Sequence, residues 1–287
     1  MKLYPMARLL LILGLIIAFA VQNCGILDSD LNDDCAAPQD YPSKSCLLPP
    51  EDLHALQQTI NTLNDGQLKS AQLDSFGYIT SEGVYQGWSA EGLCPSQETL
   101  MITWAEEAVL KFGEFTGLPD FPAFEVQTSR GSRADSGECG GQPAEVYYNW
   151  LIRFHNQVYE GLEVLNTRIS VGLYSEGAYW IEGHWYPEIT IPKCESVSCS
   201  KAKEMIIGTE ITWHGLGGEP HVFIVNVSSI MDSEEKVVLP FRTSDCIELR
   251  VAWRIGIEYL PSESPSWYIY VDTVTGETIS IWQLFRT

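Results

Sequence analysis

Between residues 247 and 259 the chain places Ile247, Leu249, Val251, Trp253, Ile255, Ile257 and Tyr259 at every second position, the period of a half-buried antiparallel strand. Trp267, Ile269 and Val271 continue the same core, and Ile279 and Ile281 resume the alternation beyond Gly276. A glycine there supplies the positive φ that a tight turn requires. The chain is therefore expected to close as a meander.

Upstream, Leu53, Leu56, Ile60 and Leu63 mark one face of a helix that starts after Pro49-Pro50 and stops near Asn64-Asp65-Gly66. A longer helix follows Pro95-Ser96, with Leu100, Trp104, Ala108 and Phe112 stacked at i, i+4 spacing and Gly113 and Gly117 near its end. Each needs a sheet to cover. Val146, Tyr148, Trp150, Ile152 and Phe154 alternate with more polar neighbours and predict one long, two-faced strand over 146–155. Gly161 and Gly177 mark turns around a strand at Ile169, Val171 and Leu173, and Tyr179 and Ile181 supply the next. A short helix over 200–207, ended by Gly208, precedes strands at 210–213 and 221–227. The order helix, strands, helix, strands occurs twice, which predicts an α+β fold.

Lys2 and Arg8 precede an apolar run over 9–20 that is too short to span a bilayer, so residues 1–20 read as a signal peptide cut after Ala18-Phe19-Ala20. A lipid on Cys24 is the alternative, and it is the one membrane attachment expected. The eight cysteines, Cys24, Cys35, Cys46, Cys94, Cys139, Cys194, Cys199 and Cys246, then suit disulfides in an oxidising compartment, with Cys194 and Cys199 the first candidate pair. The protein is expected to be extracytoplasmic: secreted, periplasmic or lipid-anchored at the cell surface. Seventeen basic residues against 38 acidic ones give a formal net charge of −21, which argues against a nucleic-acid partner. Residues 21–48, rich in Asp, Asn, Pro and Cys without apolar period, read as an acidic tether.

No constellation of catalytic residues stands out. His155, His214 and His221 have no nucleophile or ligand at useful spacing. A zinc site built from Cys194, Cys199, His214 and His221 has the wrong spacing and the wrong compartment. Asp272 more simply accepts backbone N–H groups in the turn before Gly276 than acts as an acid. The sequence contains no Gly-x-Ser-x-Gly elbow, phosphate loop or dinucleotide fingerprint. No enzyme activity, cofactor or metal is expected.

The aromatic strand carrying Trp150 and Phe154, followed by Gln157-x-Tyr159-x-Gly161-x-x-Val164, resembles the fungalysin/thermolysin propeptide motif. The segment 267–279, with Tyr270-Val271-Asp272-x-x-Thr275-Gly276-Glu277, is similar to the end of a PepSY domain. Together they cover residues 97–285 in the order found in the pro-regions of secreted thermolysin-like metallopeptidases. The resemblance implies two cystatin-like units, each a helix over a curled antiparallel sheet, spanning 97–192 and 193–287. They would be preceded by the tether and by a helix with an irregular segment over 49–96. It further implies that Trp150, Phe154, Gln157, Tyr159, Gly161, Val164, Tyr270, Asp272 and Gly276 are structural. The peptidase signature His-Glu-x-x-His is absent from this sequence. The expected role is a non-catalytic protein-binding module, an inhibitor or folding chaperone of a secreted metallopeptidase on another chain. A structural or adhesive envelope protein on the same scaffold is the alternative. Phe285 and Arg286 near the C-terminus would either contact the partner or merely pack.

Overall fold

The computed structural model describes residues 38–65, 68, 71–80, 92–118, 126–130, 133–215, 217–259 and 265–285. The expected signal peptide, Cys24, most of the tether and Arg286 lie outside these residues. The helices are α1 (Pro50–Asn64), α2 (Glu98–Lys111), the one-turn α3 (Gly113–Thr116) and α4 (Cys199–Ile206). The first strands are β1 (Ser43–Cys46), β2 (Gln72–Leu73), β3 (Ile79–Thr80), β4 (Val126–Arg130), β5 (Arg133–Cys139) and β6 (Gln142–Tyr147). They are followed by β7 (Trp150–Phe154), β8 (Val158–Tyr159), β9 (Leu162–Val164), β10 (Ile169–Tyr174) and β11 (Gly177–Glu182). The last are β12 (Glu210–His214), β13 (Pro220–Ile224), β14 (Ile230–Arg242), β15 (Cys246–Ile257), β16 (Trp267–Asp272) and β17 (Thr278–Gln283). The fold is α+β, and the chain forms two compact units.

The larger unit comprises Pro42–Ile191 and Val237–Arg250. Its main sheet is antiparallel in the order β11-β10-β7-β4, and α2 covers one face. Met101, Ala105, Ala108, Val109 and Phe112 of the helix segment meet Trp150, Ile152, Phe154, Ile169, Val171 and Leu173 in one core. Burial of such apolar area is the main stabilising term. The buried face is shifted by about one residue at the start of the helix: Leu100 is 41% exposed and Trp104 only partly buried, while Met101 and Ala105 are buried and Ala108 and Phe112 keep to the expected stripe. With apolar residues on several sides of α2, spacing alone does not choose the buried face.

The strand expected over 146–155 is two strands. β6 pairs with β5 and β7 with β4 and β10, and the chain bends at Tyr148 between them. The bend preserves the parity of Val146 and Trp150, both buried, so alternation alone cannot reveal it. Gly140 and Gly141 have φ of 63° and 76°, and Glu160 and Gly161 have φ of 48° and 82°. Each pair forms a two-residue turn of the type that matches the twist of a hairpin.

Within the stretch expected to be tether, residues 43–46 form a strand. β1 lies antiparallel to β15, with Cys46 opposite Cys246, and these two cysteines form a disulfide across 200 residues of chain. Ser43, Lys44 and Ser45 carry no apolar pattern, so pairing and the disulfide place this strand, not hydrophobic periodicity. A second disulfide joins Cys94 to Cys139. Helix α1 adds Ile60 to the same core as α2, with Leu56 and Leu63 packed beside it.

Of the described residues, the smaller unit comprises 38–41, those of 192–236, and 251–259 with 265–285. Residues 251–257 of β15, then β16 and β17, form an antiparallel meander. α4 lies over it through Ala202 and Ile206, which join Ile255, Ile257, Trp267, Ile269 and Val271 in a second core. Ser198 caps this helix by accepting a hydrogen bond from the Lys201 N–H at 3.3 Å. The expected Cys194–Cys199 pair does not form: Cys194 is disulfide-bonded, whereas Cys199 is a buried thiol. Cys199 opens α4 on the same face as Ala202 and Ile206, and all three are buried.

Candidate functional site

The residues singled out by the sequence are mostly holding their own chain together. In the larger unit Trp150, Phe154 and Val164 are fully buried, Tyr159 pairs with Leu162 across the turn containing Gly161, and Gln157 is buried. Gln157 Nε2 donates to the Tyr186 carbonyl at 2.7 Å while its Oε1 accepts from the Tyr186 N–H at 2.9 Å.

In the smaller unit the Asp272 carboxylate accepts from the N–H groups of Val274 and Thr275 at 2.8 and 3.0 Å. Tyr41 donates to the same carboxylate at 3.4 Å and accepts from the Val251 N–H at 3.0 Å. Gly276 takes φ of 74° in that turn. Tyr270 is buried, its ring 4.8 Å from that of Trp282. Phe285 packs against the second core, its ring edge-on to Trp267 and Trp213 at 5.2 and 6.2 Å. Disulfide-bonded Cys194 has no thiolate for a metal.

A cluster that sequence reading did not find lies in the larger unit. The rings of Tyr78 and His184 stack with centroids 3.7 Å apart, and Tyr186 meets both edge-on. Ser45 and Tyr78 share a hydrogen bond of 3.0 Å between their hydroxyl oxygens. Burial lowers the His184 pKa from 6.5 to about 4, and burial, reinforced by Tyr78 and Asp74, raises that of Tyr186. The imidazole is therefore neutral near pH 7 and is packed as an aromatic ring. Sequence spacing gave no sign of it, because Tyr78 and His184 are brought together only by the tertiary fold.

Among the described residues, one feature open to another molecule is the hairpin of β12 and β13 in the smaller unit. Its inward side chains anchor it: Ile211 and Trp213 are buried in the second core with Phe223 packed against them. The Phe223 ring stacks on Trp267 at 5.5 Å, and Trp213 contacts the rings of His221, Tyr259 and Trp267 at 5.1 to 5.2 Å. The outward face carries apolar groups that a solvated strand does not need. Val222 and Ile224 are 56% and 58% exposed, next to Val227 in the following turn at 72%. Single exposed apolar residues are ordinary; here Val222 and Ile224 stand two positions apart on the same face of one strand. The sequence signal was the run Val222-Phe223-Ile224-Val225, apolar at both parities, which a strand with one wet face does not require.

Comparison with protein families gives no match, and none of the curated proteins matches the sequence. The propeptide resemblance of residues 148–164 thus has no family match behind it. Among solved structures the chain is similar to the Bacillus megaterium YpeB C-terminal domain. That likeness covers 84% of this chain and 99% of that chain at 10% identity, with a TM-score of 0.29. At this level it shows neither fold nor role.

Proposed function

We propose that the chain is a non-catalytic, extracytoplasmic protein-binding module that meets its partner through the outward face of the β12–β13 hairpin. The observation that carries this reading is the pair Val222 and Ile224, apolar and more than half exposed on a hairpin whose other face is locked into an aromatic core. Rigid apolar anchors of this kind lose little conformational freedom on association. The polar residues that motif reading would have offered for chemistry, Gln157 and Asp272, are engaged with backbone groups. The disulfides Cys46–Cys246 and Cys94–Cys139 support an oxidising compartment. The net charge of −21 disfavours nucleic acid.

The partner class we place first is a secreted metallopeptidase, which this chain would inhibit or help to fold. The support for it is the sequence resemblance of residues 148–164 and 267–279. The test adds the purified chain, wild type or carrying Val222→Asp and Ile224→Asp, to thermolysin-like peptidases secreted by its source. Expected are slower hydrolysis or a higher refolding yield at micromolar excess, lost in the double variant. Unchanged hydrolysis and refolding would remove the peptidase version. Crosslinking from position 222 to an envelope component, with no peptidase recovered, would favour the adhesive alternative.

A further inference from the structure

Resting on the protein-binding reading, the geometry points to a mode of binding: β13 accepts an extended, lysine- or arginine-bearing apolar segment of another protein as an added strand. The hydrogen-bond phase of the hairpin shows which backbone groups are available. Val225 N–H donates to the Thr209 carbonyl and Gly215 N–H to the Glu219 carbonyl, and between these pairs Ile211 faces Phe223 and Trp213 faces His221. Hydrogen-bonded and non-bonded pairs alternate along an antiparallel ladder. The pairs 211/223 and 213/221 are therefore the bonded ones, and at 210/224, 212/222 and 214/220 the N–H and C=O groups point away from the hairpin. The outward edge of β13 thus presents the N–H groups of Val222 and Ile224 with their carbonyls. Pro220 ahead of them has no N–H. Among the described residues β13 pairs with β12 alone, and the outward N–H and C=O of Val222 and Ile224 have no partner there. The same two residues carry the exposed apolar side chains. Backbone donors and apolar side chains therefore coincide on one edge, the combination that strand addition uses.

Charge selects the occupant. Residues 208–227 contain Glu210 and Glu219 and no lysine or arginine. Both glutamates are exposed, and neither has an ion-pair partner among the described residues. Glu210 stands opposite Ile224 in the register, so it lies two strands, about 10 Å, from an added chain. A lysine or arginine on that chain and the glutamate side chain together span this distance. A second copy would bring the same glutamates and the same net charge of −21 against each other, which opposes self-pairing.

The test uses the full disulfide-bonded chain and a short peptide alternating valine with lysine. Controls are the same peptide with glutamate for lysine and a form N-methylated at alternate amides. Fluorescence anisotropy is expected to show saturable binding of the lysine peptide, at least tenfold weaker for both controls. Val222→Pro removes one outward N–H without touching the ladder to β12 and is expected to weaken binding at least tenfold with unchanged near-ultraviolet circular dichroism. The N-methylated peptide makes the same test without altering the protein. No saturation by about 1 mM, equal binding of the N-methylated form, or equal binding of the glutamate peptide would each overturn the proposal. So would a dimer by light scattering that Val222→Pro dissolves. If the peptide fails while Val222→Asp and Ile224→Asp still abolish partner engagement, strand addition alone falls. If those variants also have no effect, the protein-binding reading falls with it.

Discussion

Gln157 shows how much one side chain can organise. Its amide both donates to and accepts from the backbone of Tyr186, and its own N–H donates to Thr167 Oγ1 at 2.8 Å. Gln157→Ala would leave the Tyr186 N–H and C=O without these partners in a buried place. The expected loss is about 2 to 4 kcal/mol of stability, read by urea denaturation. His184 makes a different kind of statement. Its folded pKa of about 4 lies below the ordinary 6.5, so the unfolded chain takes up the proton first and stability falls as pH drops from about 6.5 towards 4. It is fully retained above that window. The slope approaches about 1.4 kcal/mol per pH unit. His184→Phe keeps a ring beside Tyr78 and is expected to flatten this part of the stability profile. Glu248 acts lower down. Burial pushes its carboxyl up, but hydrogen bonds and charge from Lys44 and Arg250 outweigh burial and hold it below 4.5, so its contribution is present above 4.5 and lost in stronger acid.

At the scale of elements, the hairpin of β8 and β9 offers a gain. Glu160 sits at φ of 48° beside Gly161 at 82°, a conformation that asparagine tolerates better than glutamate. Glu160→Asn is expected to stabilise the protein by about 0.5 to 1 kcal/mol, and Gly161→Ala to destabilise it by about 1 to 2 kcal/mol; thermal melts of the two variants decide. The disulfide joining β1 to β15 closes a loop of 200 residues, worth about 5 kcal/mol in the chain-entropy view. Replacing Cys46 and Cys246 with serine is expected to lower the melting temperature markedly and to reduce the further effect of dithiothreitol. These elements were unequally legible beforehand. β15 and β16 could be read because most residues of the predicted face, Leu249, Val251, Ile255 and Ile257 with Trp267, Ile269 and Val271, are buried, and α1 because its apolar residues keep to one stripe. β1 could not, since three of its four residues are polar, and the bend at Tyr148 left parity unchanged. The exposed edge of β13 was hidden for a related reason: alternation identifies a strand but not which of its faces is covered.

Across the molecule, the formal charge of −21 makes the folded state repel itself. Raising sodium chloride from about 0.02 to 0.2 M shortens the screening length to less than 10 Å and is expected to raise the melting temperature by a few degrees, measured calorimetrically. The same salt series separates general charge from the local ladder of β13, because an added strand keeps its backbone hydrogen bonds when ionic attraction is screened. The division into units is not a division of the sequence: residues 237–250 belong to the larger unit although they lie between two stretches of the smaller one. During synthesis from the N-terminus, Cys46 therefore emerges long before its mate, while Cys94 meets Cys139 after only 45 residues. Until residue 246 arrives, the Cys46 thiol is exposed to wrong matches with every cysteine made in between. The link from Cys46 to Cys246 is then necessarily sealed late, and any earlier mispairing of Cys46 would have to be undone by thiol exchange.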